Sequence, residues 1–121
     1  MLRPGGRALF TDPIVVTGQL TNEEIRIRAS IGFFLFTPLG HNEHLLAEAG
    51  FVVREVQDVT GATASISRKW RDARERKREA LVHAEGDEDF EKLQRFLTTV
   101  HTLAGERRLS RYMYLASKPP V

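Results

Sequence analysis

Histidine, carboxylate and arginine side chains are where this chain could do chemistry, and their spacing narrows the options. His41 and His44 lie three positions apart on a short helical stretch, which could aim two imidazoles at one metal ion. No carboxylate or cysteine completes that set convincingly, so capping or surface roles are expected for both. His83 and His101 have no partner evident from spacing. The chain contains no cysteine, which closes disulfides, a catalytic thiol and thiolate zinc sites. No serine, histidine and acid stand in a recognisable motif, and no phosphate-binding loop occurs, so hydrolase and kinase chemistry have nothing to rest on. Asp12, directly before Pro13, either ends a strand or orients a reacting group. Trp70 and Arg74, one helical turn apart, could hold an aromatic or anionic group; core anchoring of the indole and ion pairing of the guanidinium are the competing structural roles.

The elements that must position these residues follow from periodicity and punctuation. Pro4-Gly5-Gly6 reads as a tight turn feeding a strand over Leu9 to Thr11, closed by Asp12-Pro13, with Ile14 to Val16 prolonging it or opening a loop. Thr21-Asn22-Glu23-Glu24 is a capping box, predicting a helix through Ile25, Ile27 and Ile31 toward Phe34 that stops before Thr37-Pro38; the apolar run Ile31 to Phe36 also fits a buried strand. A short helix from His41 ends at Gly50, after which Phe51, Val52, Val53 and Val56 form a second strand ending near Asp58 to Gly61. Ile66, Trp70, Ala73, Ala80 or Leu81, and Ala84 recur at helical spacing, as do Phe90, Leu93, Leu97, Val100 and Ala104 beyond a break at Gly86-Asp87, so two antiparallel helices are expected. Tyr112 to Ala116 is the last strand, stopped by Lys118-Pro119-Pro120. Strand, helical crossover and strand imply that the first two strands run parallel.

At 121 residues and 41% hydrophobic content the chain is sized for one domain, residues 1–121. No apolar run approaches the roughly 20 residues that span a bilayer, so no membrane partner and a cytoplasmic location are expected. The 18 basic and 16 acidic side chains are close to balance. Seven basic residues between Arg68 and Glu79 face three acids there and an acidic stretch from Glu85 to Glu91. A solvated helix face explains that pattern better than a nucleic-acid surface, so no nucleic-acid partner is expected.

Three segments carry a family resemblance. Leu2-Arg3-Pro4-Gly5-Gly6-Arg7 before an apolar strand, Leu46-Ala47-Glu48-Ala49-Gly50-Phe51 before a valine-rich strand, and Tyr112 to Pro119 at the end resemble the C-terminal part of class I S-adenosylmethionine-dependent methyltransferases. The resemblance implies a partial Rossmann-like α/β sheet of about three strands. The last, antiparallel strand would lie between the first and second, with a helical insertion or lid over 61–110. The family's cofactor cradle, a glycine-rich turn after its first strand, has no counterpart here, since no Gly-x-Gly-x-Gly occurs. S-adenosylmethionine is therefore the implied cofactor, expected to bind this chain alone weakly or not at all.

With ligands at the carboxyl ends of the parallel strands, the resemblance selects Thr11, Asp12, Asp58 and Thr60. Arg111 and Tyr112 join them at the start of the antiparallel strand, and Trp70 and Arg74 on the insertion above. Methyl transfer needs an acceptor held in line and a base only where a proton must leave, a role for which Asp12 is the best candidate. The implied function is the substrate side of a methyltransferase for a small molecule, inactive as an isolated chain. The alternative is a non-catalytic module that forms homodimers through an exposed sheet edge or apolar face.

Overall fold

The computed structural model describes residues 3–31 and 35–119. Its elements in order are β1 (Arg7–Val16), α1 (Asn22–Arg28), β2 (Thr37–Pro38), α2 (His41–Glu48), β3 (Val52–Asp58), α3 (Thr60–Arg76), α4 (Arg78–Glu85), α5 (Asp87–Gly105) and β4 (Leu109–Ser117). They form one sheet in the order β2-β1-β4-β3. β4 runs antiparallel to both β1 and β3, which are therefore parallel to each other, as expected. The two-residue β2 is an addition, paired in parallel with Val15 and Val16. Among the described residues no strand pairs with the outer edge of β1 from Arg7 to Asp12, and no helix is long and apolar enough to cross a membrane.

Local chemistry sets the joints. Gly5 takes φ 81° in the turn before β1, where the Gly6 amide donates to the Arg3 carbonyl at 2.9 Å and the Gly5 amide to Lys118 at 2.9 Å. β1 does not close at Asp12-Pro13 but runs on to Val16, with a register irregularity between Asp12 and Val15. Proline is accommodated because a bulge leaves one residue out of the ladder, where a missing N–H costs nothing.

The capping box forms: Thr21 Oγ1 accepts from the Glu24 amide at 3.1 Å and Glu24 Oε1 from the Thr21 amide at 2.9 Å. The helix it starts is shorter than the apolar run suggested, ending at Arg28, and the expected stretch through Gly32 to Phe34 lies outside the described residues. Arg28 is buried, its guanidinium 5.2 Å from the centre of the Phe96 ring on α5. Gly50, at φ 86°, lets the chain leave α2 for β3 as expected. The insertion has three helical segments rather than two, with breaks at Lys77 and at Gly86, whose φ is 91°. Three acids in the first turn of α5 oppose its positive dipole end. Ile14, Leu103 and Leu109 join sheet and insertion in one core cluster.

One ion pair closes α1 onto the α5–β4 corner. Arg108 grips Glu24 with both terminal nitrogens, at 2.8 and 2.7 Å, and this bond, with the Thr21 amide, holds the Glu24 carboxyl at a pKa of about 2. A depressed carboxylate pKa stabilises the fold above the ordinary value of 4.5, and the gain is lost as pH falls from 4.5 toward 2. Thermal melts of wild type and Glu24→Gln are therefore expected to differ most at neutral pH and to converge on acidification. A gap in Tm that stays constant into acid would contradict the assignment.

Candidate functional site

The carboxyl ends of β1 and β3, the start of β4 and the insertion converge on one edge, and hydrogen bonds at the start of α3 fix that junction. Asp58 Oδ1 accepts from the Thr60 amide at 2.9 Å, the Val59 amide donates to the Arg111 carbonyl at 2.9 Å, and the Arg111 amide donates to Thr60 Oγ1 at 3.0 Å. Thr60 is wholly buried. Its hydrogen bonds, and then the charge of Arg107 at 3.6 Å, hold the Asp58 carboxyl below the usual range. Both residues thus act as the hinge pin between β3 and α3.

The sequence candidates fall into two groups on opposite faces of the sheet, because Arg111 and Tyr112 are neighbours on a strand and side chains alternate. On one face, Asp12 and Asp58 flank Tyr112 in register across three strands. Here Asp12 accepts from the Ile14 amide at 3.0 Å and from Asn42 Nδ2 at 2.8 Å, which anchors α2 to the bulge. Tyr114 lies buried one pair further along, stacked on Phe10 at 5.1 Å between ring centroids. Burial pushes its phenol pKa up, with the charges of Glu43 and Asp12 adding and a hydrogen bond with Asn42 opposing. One Glu43 carboxylate oxygen is buried beside this cluster with no hydrogen-bond partner.

On the other face, Arg111 donates to Thr11 Oγ1 at 2.8 Å and lines a groove of about 410 Å³ between α3 and α5. Pro13 and Val59 form its floor at the strand edge, and Trp70 and Phe96 stand on its walls. Trp70 is not a core anchor: 56% of it is exposed, beside an Ile66 that is 60% exposed. Ile66 and Trp70, on the apolar stripe of α3, therefore face an open groove, although the helix packs against α5 elsewhere. Arg74, though one turn from Trp70, points into the protein. It pairs with both carboxylate oxygens of Glu85 at 3.0 and 2.8 Å and donates to Gln94 at 2.8 Å, a clamp across the three helices of the insertion. Further cations there are also committed, Arg71 to Asp72 and Arg78 to Glu75 and Glu91.

Sequence reasoning missed Arg28, Asn42 and Glu43. Arg28 follows the exposed Ile25 by three positions, so helical spacing gives no signal that it is turned inward. Nothing local distinguishes Asn42, whose role comes from α2 lying across the β1 bulge. Among the described residues no group of three or more metal-ligating side chains forms. His44 meets Glu48 at 3.3 Å.

The glycine-rich turn sits at the amino end of β1, opposite the edge just described, and its amides are taken by Arg3 and Lys118.

No protein-family profile and no curated protein sequence matches the chain. Solved structures do. Phosphoethanolamine N-methyltransferase 2 of Haemonchus contortus, in complex with phosphomonomethylethanolamine and S-adenosylhomocysteine, superposes with a TM-score of 0.82 at 21% identity, over 98% of this chain and 27% of that one. The cyclopropane synthase MmaA2 of Mycobacterium tuberculosis gives 0.85 at 18% identity, over 97% of this chain and 46% of that one. The chain thus has the α/β fold of part of an S-adenosylmethionine-dependent methyltransferase, as its sequence resemblance implied, and spans less than half the length of these structures.

Proposed function

We propose that this chain is the acceptor side of an S-adenosylmethionine-dependent methyltransferase acting on a small molecule. The observation that carries the reading is the sheet order, with an antiparallel strand between two parallel ones and a helical insertion that leaves and rejoins at their ligand-binding edge. Catalysis by positioning suits what the edge offers: a groove on the Arg111 face that could seat an acceptor, and Asp12, Asp58 and Tyr112 at the same strand ends on the opposite face. Asp12 is the candidate base or orienting group; each of its oxygens already accepts one hydrogen bond and retains capacity for another. Thr11 holds Arg111 in place, and Thr60 and Arg74 support the insertion that carries Trp70.

Calorimetric titration of residues 1–121 with S-adenosylmethionine is expected to give no saturable heat. A chimera joining the cofactor-binding half of a structural relative ahead of Met1 is expected to gain binding and transfer a labelled methyl group to a small acceptor. Micromolar affinity in the isolated chain would overturn the assignment.

A second reading rests on the outer edge of β1, where Leu9 is 65% exposed: a second copy of the chain pairs there without catalysis. Sedimentation as a monomer counts against it.

A further inference from the structure

We propose that the outer stripe of α3 docks the chain on an anionic lipid surface, with Ile66 and Trp70 seated among the headgroups and Lys69, Arg76 and Lys77 meeting the lipid phosphates and carboxylates. The inference goes beyond methyl transfer and does not depend on it.

The first argument is the arrangement of the stripe. Ile66, Lys69, Trp70, Ala73, Arg76 and Lys77 recur at steps of three and four, so they follow one side of α3 to its C-terminal cap. Ser67 and Arg74 lie on the opposite, buried side, where Arg74 donates to Gln94 on α5 and to Glu85 on α4. The stripe is left to solvent: Ile66, Lys69, Trp70, Arg76 and Lys77 are all exposed. Its large apolar pair sits toward the amino end, its cations continue toward the carboxyl end, and it carries no carboxylate.

The second argument is charge. Asp72, Glu75 and Glu85 pair with Arg71, Arg78 and Arg74 in turn. That leaves Arg68, Lys69, Arg76 and Lys77 without an ion pair or side-chain hydrogen bond among the described residues, against an uncommitted Glu79. Arg76 and Lys77 line an open depression together with His83, and Glu79 is the acid at its border. The cations outnumber the acid, so the surface is matched by a polyanion.

Uncommitted cations alone would also suit nucleic acid; an exposed indole beside an exposed isoleucine does not, because both lose by staying in water. A helix lying in a membrane interface satisfies both halves of the stripe. Its aromatic and aliphatic groups enter the headgroup boundary, and long cations extend past them to anionic lipid. The length rule behind the expected absence of a membrane partner governs helices that cross a bilayer, and a helix lying on one escapes it.

Trp70 is the single tryptophan of the chain, so its fluorescence reports insertion without a label. Residues 1–121 would be mixed with vesicles of phosphatidylcholine, alone or with phosphatidylserine, and separately with a DNA duplex. Sedimentation with the phosphatidylserine vesicles is expected, with little on phosphatidylcholine alone, and the binding should weaken as salt rises. Trp70 emission is expected to move to the blue on those vesicles and to be quenched by brominated acyl chains. Replacing Lys69→Gln and Arg76→Gln together is expected to weaken binding roughly thirtyfold, about fivefold for each surface cation. Ile66→Ser, at an exposed position, is expected to reduce the quenching with an unaltered melt. Equal sedimentation with both vesicle types, binding without quenching, or either variant behaving like wild type on phosphatidylserine overturns the proposal. Tighter binding to the duplex than to the vesicles, with Trp70 emission unmoved, would assign the cations to nucleic acid and overturn it as well.

Discussion

Phe90→Ala is expected to destabilise the protein by about 4 kcal/mol, within the range for deleting a buried aromatic ring. Phe90 is completely inaccessible at the start of α5. Guanidinium carbons of Arg74 and Arg78 lie 4.9 and 4.7 Å from its ring centre, so the ring is the surface on which both clamps of the insertion rest. Arg74 reaches from it to Glu85 and Gln94, and Arg78 to Glu75 and Glu91. Truncation therefore opens a cavity and also removes the platform that orients two ion pairs. Phe90→Leu keeps most of the apolar volume but no π face, and is expected to cost about 1–2 kcal/mol. Urea denaturation measures both; an alanine variant within about 1 kcal/mol of wild type would show that the insertion does not depend on this ring.

Tyr114→Ala is expected to cost a similar amount, about 4 kcal/mol, for a different reason. The ring is 1% exposed at the centre of the sheet, paired with Phe10 on one side and Val56 on the other. Its loss removes the stacking with Phe10 and the support beneath Tyr112, whose ring centre is 6.4 Å away. Tyr114→Phe separates the hydroxyl from the ring and is expected to cost about 1 kcal/mol through the lost hydrogen bond with Asn42. Denaturation curves in which the phenylalanine variant falls as far as the alanine one would place the energy in the polar network around Asp12 instead of in the ring.

Local chemistry made much of this fold legible. The Thr21 and Glu24 capping box, the left-handed Gly50 and the proline stop after β4 each depend on residues within a few positions of one another, and each forms as expected. The features that escaped are those decided at a distance. Pro13 reads as a strand end until β4 is present to pair on both sides of the bulge. Helical periodicity places Trp70 on an apolar stripe, but cannot say whether the opposing wall touches it or stands off across a groove. The break at Lys77 carries neither glycine nor proline; α4 turns because Arg74 draws Glu85 back across the bundle. At the site, strand adjacency made Arg111 and Tyr112 look like partners, and the same adjacency sends them to opposite faces.

The rim of β1, unpaired among the described residues, limits its own reach. Val15 and Val16 are taken by β2, and Pro13 offers no N–H, so the free ladder runs only from Arg7 to Asp12. Any visiting strand is thus confined to about six residues, some 20 Å, and meets a cation at one end and an anion at the other. That short, polar-ended berth admits one neighbour in one alignment and discourages the open-ended stacking that a longer, uniformly greasy border would invite.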